Sequence, residues 1–188
     1  QRRPRIRPTE ASIRRSSPCS DATRKLEPSA YREIYKLYSA QMFGICLRIL
    51  NDREDAQDIL QEAFTHAFTK LDTFRGEASF GSWLKRIVVN KSLNELKRKK
   101  LKWEELHDSH PVEEDGVSKY ADLSVANIKE AMTRLADGYR VVLSLYLFEG
   151  YTHKEIAEEL NISEGTSKSQ YLRAKNRLKE LIIENHGK

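Results

Sequence analysis

The chain has little of what marks a membrane, secreted or catalytic protein. No apolar run approaches the roughly 18 residues that a membrane span needs, so no stable membrane insertion is expected. The two cysteines, Cys19 and Cys46, cannot make a disulfide framework. Eight glycines and five prolines in 188 residues are too few for a low-complexity chain and suit a β-sandwich poorly. The arginine-rich start is followed by no apolar stretch, so it does not read as a secretory signal. His66, His107, His110, His153 and His186 form no metal-ligand array, and no Gly-rich loop with a following Lys-Ser/Thr is present to cradle phosphate. His107-Asp108-Ser109-His110 lies in an acidic stretch and is not taken as a metal site. No cofactor, metal or catalytic residue is therefore expected. Cys46, within the apolar run Phe43-Gly44-Ile45-Cys46-Leu47, reads as a buried thiol in a reducing cytoplasm.

What is present is charge, and it is sorted. The net charge is +5. Residues 1–27 hold eight Lys/Arg against three acids, so this segment carries the whole excess. Further on, residues 85–102 hold eight Lys/Arg against Glu95 alone. Residues 103–124 hold seven acids against Lys119, and residues 164–179 hold five Lys/Arg against Glu164. Two basic blocks separated by an acidic one suggest two polyanion contacts joined by a segment that avoids polyanions.

The apolar pattern is helical and comes in two groups. Residues 1–27, with Pro4, Pro8, Pro18 and many Ser and Arg, read as a disordered basic tail. From Pro28, residues Tyr31, Ile34, Tyr35, Tyr38, Met42, Ile45, Cys46 and Ile49 recur at steps of three and four. Asn51-Asp52 breaks this helix, and Asp52 can cap the next, whose stripe is Ala56, Leu60, Ala63, Phe64, Ala67, Phe68 and Leu71. A third helix is predicted from Phe80 to about Lys100, with Phe80, Trp83, Leu84, Ile87 and Val88 on its apolar side. The periodicity then lapses over residues 103–124, which read as a flexible acidic linker. A second helical domain is predicted over residues 125–186, with stripes at Ile128, Ala131, Met132, Leu135 and at Val141, Val142, Leu145, and a stop at Gly150. The expected fold is all-α: two small helical domains, residues 28–102 and 125–186, joined by the linker.

The most informative segment is residues 151–179. Thr152 and Glu155 fit a capping box. Ile156, Ala157 and Leu160 make an apolar face, and the small Ala157 would let another helix pack close. Asn161-Ile162-Ser163 is a three-residue turn whose Ser163 can cap the following helix. That helix should bury Tyr171, Ala174, Leu178 and Leu181 and show Lys168, Ser169, Gln170 and Arg173. This is the layout of a helix-turn-helix whose second helix enters the major groove. The third helix of the first domain differs. Asn90 and Asn94 share one face, among Lys85, Arg86, Lys91 and the lysines that follow. Amides, cations and a nearby aromatic suit unstacked bases as well as phosphates. Taken alone, Phe80 and Trp83 read as core.

Asp55-Ala56-Gln57-Asp58-Ile59-Leu60-Gln61-Glu62-Ala63-Phe64, then Leu71-Asp72-Thr73-Phe74-Arg75-Gly76, then Phe80-Gly81-Ser82-Trp83-Leu84-Lys85-Arg86-Ile87-Val88-Val89-Asn90 closely resemble region 2 of the extracytoplasmic-function (ECF) sigma factors. Leu147-Phe148-Glu149-Gly150-Tyr151-Thr152-His153-Lys154-Glu155-Ile156-Ala157 and Glu164-Gly165-Thr166-Ser167-Lys168-Ser169 resemble their region 4. The likeness spans about residues 28–183. It implies a transcription initiation factor that binds core RNA polymerase (the β′ clamp and β flap), directs it to −35/−10 promoter DNA and helps open the duplex. It assigns polymerase binding to Asp58, Gln61 and Glu62. It assigns −10 DNA contacts to Phe74, Lys85, Arg86, Asn90, Lys91 and Asn94, and −35 contacts to Thr166, Lys168, Ser169, Gln170 and Arg173. An anti-sigma factor, one that can hold the protein at the membrane, is a further implied partner. Ser167 stands where many family members carry an apolar residue, which implies looser packing there. The basic tail lies outside the likeness.

Two other readings stay open on the residues alone. A helix-turn-helix regulator acting without polymerase membership accounts for residues 151–179 but leaves the first domain unused. An adaptor docking a partner through the basic tail accounts for residues 1–27 alone.

Overall fold

The computed structural model describes residues 28–99 and 125–186, so the expected tail (1–27) and linker (103–124) lie outside the described residues. Among the described residues there are seven α-helices, one short 3-10 turn and no strand: α1 (Pro28–Leu50), α2 (Arg53–Thr69), the 3-10 turn (Leu71–Thr73), α3 (Phe80–Arg98), α4 (Val125–Thr133), α5 (Asp137–Leu147), α6 (His153–Leu160) and α7 (Glu164–His186). The fold is all-α, as the periodicity predicts. The described residues fall into two compact units, one from 28–47 with 52–92, the other from 48–51 with 93–99 and 125–186.

In the first unit, α1, α2 and α3 each bury an apolar stripe. Ile34, Met42 and Ile45 of α1, Ala56, Ile59, Leu60, Ala63 and Phe64 of α2, and Phe80, Leu84 and Val88 of α3 are all buried, and ring contacts of Tyr31 with Phe68 and of Tyr38 with Phe80 join α1 to α2 and α3. Full burial of a side chain such as Phe80 stabilises by about 1.5–3 kcal/mol. Asp52 caps α2 as its position predicts: its Oδ1 accepts the Asp55 N–H at 2.9 Å, and Glu54 and Asp55 complement the positive helix start. Asn51, with φ 55°, makes the left-handed turn that separates α1 from α2. Gly81 lets α1 and α3 approach, since a Cβ there would lie 2.9 Å from the Tyr38 ring. Cys46 is fully buried, as expected. Burial pushes its thiol up to about 11, more than the Ser92 hydroxyl hydrogen bond lowers it. Tyr35, placed on the apolar stripe by its spacing, is instead 44% exposed and lays its ring against Phe64 at the border of the interior.

In the second unit, α7 is the element against which α4, α5 and α6 all pack. Its Ala174, Leu181 and Ile182 join Ala131, Met132, Leu135, Tyr139 and Leu143 in one cluster, with Ile128, Tyr171 and Leu178 half-buried against it. The turn after α5 reverses at Gly150, whose φ of 74° an L side chain rarely adopts, and the Tyr151 N–H reaches back to the Leu145 carbonyl at 3.0 Å. These short helices cover one side of α7, burying Ser167 in its first turn and leaving Glu164, Gly165, Lys168 and Ser169 exposed.

Candidate nucleic-acid interface

The helix-turn-helix is built from two caps and one left-handed residue. The capping box at α6 is complete: Thr152 Oγ1 accepts the Glu155 N–H at 3.2 Å, and Glu155 Oε2 accepts the Thr152 N–H at 2.8 Å. Ile156, Ala157 and Leu160 are buried. Asn161 then takes φ 56° and ends α6, its short amide side chain tolerating that conformation. The Ile162 N–H bonds the Ala157 carbonyl at 3.0 Å, and Ser163 Oγ accepts the Thr166 N–H at 2.9 Å to start α7. Both caps are legible in the sequence; the left-handed conformation of Asn161 between them is not.

On α7 the expected contact residues do not share one environment. Lys168 and Ser169 are exposed, and Arg173 is partly so. Thr166 is half-buried, with its hydroxyl 2.8 Å from that of Ser163, so much of its polar capacity serves the cap. Gln170 is half-buried, and its Oε1 lies in the interior with no hydrogen-bond partner. The exposed Leu172 joins Lys168 and Ser169 on the outer surface, a residue that hydrophobicity alone would have sent inward. Lys168 Nζ stands 2.7 Å from Glu164 Oε1. That hydrogen bond, then the Lys168 charge, hold the Glu164 carboxyl below the usual range.

Ser167 is fully buried, and its hydroxyl lies 3.0 Å from His153 Nδ1. His153 in turn stacks on Tyr146 at 4.5 Å and meets Tyr171 edge-on at 5.6 Å. The polar Ser167 therefore does not loosen this corner: a hydrogen bond joins α6 to α7 where an apolar residue would have packed. The partner is fourteen residues away, so no local spacing rule reveals it.

The second candidate surface lies on the loop after α2 and on α3. The loop after α2 and the first turns of α3 enclose a concave pocket of about 290 Å³, lined among others by Phe74, Gly76, Ser82, Trp83 and Arg86. This is near the lower bound for small-ligand pockets. Phe74, Phe80 and Trp83 form an aromatic triad with ring centroids 5.3–5.7 Å apart. Phe80 is core, as its spacing predicts, but Trp83 is only half-buried and forms a wall of the pocket. Gly76 makes the loop's tight turn with φ 72°. The Ser79 hydroxyl accepts the Ser82 N–H at 3.1 Å and so starts α3 beside the pocket. Arg86 is exposed, and Lys85 is partly so. Asn90 is half-buried, with Oδ1 in the interior and unpartnered, whereas Asn94 is exposed. The two amides thus differ although they lie one helical turn apart.

Asp58, Gln61 and Glu62 are all exposed on the outer face of α2, off its buried stripe. Glu62 reaches across to α3 and pairs with Lys91 at 3.1 Å. A residue expected to meet polymerase and one expected to meet DNA are therefore partners within the first unit. Charge alone does not disclose this, since they stand 29 positions apart in the chain. Among the described residues no group of acids, His or Cys could hold a metal ion, and no helix is long and apolar enough to cross a membrane.

Known proteins match both halves of the chain. Residues 34–102 match the family model of sigma-70 region 2, and residues 126–178 match that of sigma-70 region 4. The chain is 29% identical over 174 residues to the ECF RNA polymerase sigma factor SigW of Bacillus subtilis, covering 85% of this chain and 92% of that protein. It is 31% identical over 154 residues to the ECF RNA polymerase sigma factor SigM of Mycobacterium tuberculosis, covering 81% and 77%. The fold resembles the sigma factor RpoE of Bartonella quintana, solved with the anti-sigma factor NepR, at a TM-score of 0.55 and 22% identity over 81% of this chain and 96% of that one. It also resembles CnrH, solved with the cytosolic domain of CnrY, at a TM-score of 0.52 and 19% identity over 93% and 95%. With region 2 and region 4 both present and in that order, the chain belongs to the sigma-70 family, as an ECF-type RNA polymerase sigma factor and not an enzyme.

Proposed function

We propose that this sigma factor binds core RNA polymerase through Asp58, Gln61 and Glu62 against the β′ clamp, with residues 125–186 meeting the β flap. It then addresses the enzyme to a −35/−10 promoter and helps to melt it. Residues 28–102 act at the −10 element and residues 125–186 at the −35 element. The observation that carries this reading is the aromatic-walled pocket beside Arg86, a feature that a protein docking only on duplex DNA does not need. Unpairing and unstacking a base costs a few kcal/mol. Stacking that base on Phe74 and Trp83 returns about 1–3 kcal/mol. Lys85, Arg86 and Lys91 hold the separated strand, and Asn90 and Asn94 offer amides to base edges. Lys168, Ser169 and Arg173 anchor the complex on duplex, with lesser parts for Thr166 and Gln170.

An anti-sigma factor is the second proposed partner. Support comes from the similar structure of the sigma factor RpoE, solved in complex with the anti-sigma factor NepR. The proposed compartment is the cytoplasm, where polymerase and DNA are found; an anti-sigma factor could hold the protein at the membrane.

The test is run-off transcription by purified core polymerase on genomic fragments of the host, with and without this protein. Factor-dependent transcripts sharing two upstream motifs are expected. Failure to bind core polymerase at all would overturn the reading.

A further inference from the structure

Within residues 164–179, five Lys/Arg accompany a single acid, Glu164. It occupies the first position of α7, and its carboxylate lies 2.7 Å from the Lys168 ammonium, with the two side chains 49% and 60% exposed. The carboxyl is held in its ionised range first by the Lys168 hydrogen bond, with Lys168, His153 and Lys154 adding their charge. Two ordinary roles exist for such a residue. An acid complements the positive end of a helix, and an exposed pair four residues apart adds slightly to helix stability. Neither role explains a carboxylate on the end of a recognition helix that enters the groove. There a negative charge meets phosphate repulsion unless a base donates to it.

Only the amino groups of cytosine and adenine donate in the major groove. A carboxylate bonded to an ammonium presents an acceptor and a donor side by side. A G·C pair presents the complement: guanine O6 and N7 accept, and the neighbouring cytosine N4 donates. An A·T pair interrupts that pattern by placing the adenine amino group between its two acceptors and adding the thymine methyl. Beside the pair, Gly165 carries no side chain, and the nearest group to a Cβ there would be Ser163 Oγ at 3.7 Å, so the leading turn stays slim enough to approach the bases.

We propose that Glu164 and Lys168 read one G·C base pair of the −35 element as a unit, Glu164 accepting from cytosine N4–H and Lys168 donating to guanine O6 and N7. Glu164 is then a specificity-determining residue, resting on the reading of α7 as the −35 helix.

The test is selection of −35 duplexes randomised over the element, using core polymerase loaded with the parent chain, Glu164→Gln, Lys168→Met or Ser169→Ala. Thermal unfolding of each variant runs alongside. The parent should select a motif containing a G·C pair that both Glu164→Gln and Lys168→Met relax by roughly ten-fold, other positions being kept. Ser169→Ala should leave that position alone. Glu164→Gln that keeps the preference, or that weakens every sequence equally while lowering the melting temperature, would reduce Glu164 to a helix-end charge. Relaxation by Lys168→Met alone would overturn the paired reading. A parent that binds polymerase yet selects no −35 motif would overturn the −35 assignment of α7 itself, a failure distinguishable from that of Glu164.

Discussion

The two candidate DNA surfaces use different physics. The first unit offers a concave, aromatic-walled pocket in which Phe74 and Trp83 stand against the buried Phe80. The leading turns of α7 offer a convex surface of exposed Lys168, Ser169 and Leu172 held from behind by three shorter helices. A pocket binds by stacking and water exclusion, and such terms respond weakly to salt. A convex cationic helix binds by charge and edge hydrogen bonds, and each phosphate contact releases counterions. On the proposed reading, the stacking part of melting can be varied apart from duplex docking, while Lys85, Arg86 and Lys91 add a salt-sensitive contact to the first surface.

The largest expected effect strikes the helix. Replacing Lys168 and Arg173 together by alanine should lower −35 duplex affinity by about 100-fold and flatten the salt dependence by about one to two units of slope, measured by anisotropy across a salt series. Permanganate reactivity per bound complex should stay at the parental level; a parallel fall there would erase the distinction between the two surfaces. Next in size, Phe74→Ala should cut open-complex formation roughly ten-fold, with duplex affinity and salt slope close to the parent. Loss of duplex affinity in the same proportion would show that the pocket wall serves docking.

A smaller effect concerns the support of α7. Thr152→Ala removes one half of the capping box and should cost about 1 kcal/mol in urea unfolding, with −35 base preference intact. A changed preference would mean that the cap also aims the helix. The smallest effect concerns the interior of the first unit. Because burial raises the Cys46 thiol to about 11 from its ordinary value of 9.0, the thiol stays protonated in the folded chain where an unfolded one has ionised. Its contribution to stability is complete below about 9 and is lost as pH rises toward 11. Thiol labelling at pH 8 should therefore be slow in the folded protein and fast in urea. Rapid labelling of folded Cys46 would contradict the burial.

Much of the fold was open to reading because helices obey a local period. The stripes that begin at Tyr31, Ala56, Phe80 and Ile128 bury largely as spaced. Asp52, Thr152 and Ser163 cap as expected, since a cap involves atoms only three residues apart. Periodicity failed at its edges. Tyr35 lies at the margin of its stripe and stays 44% exposed, whereas Gln170, expected outward, turns Oε1 inward. An angle on a helical wheel does not say how far a neighbouring helix extends over it.

The contact residues were legible as types and positions, less so as environments. The all-α chain, its two motif blocks, its caps and the placing of its cations follow from residues within one or two turns of each other. Packing between elements sets Trp83 beside Phe74 at a pocket, joins His153 to Ser167 and Glu62 to Lys91, and exposes one of two amides in a single helix. Each of these joins side chains from different elements, or depends on what a neighbouring element covers. Their meeting follows from how helices pack, which no local periodicity encodes.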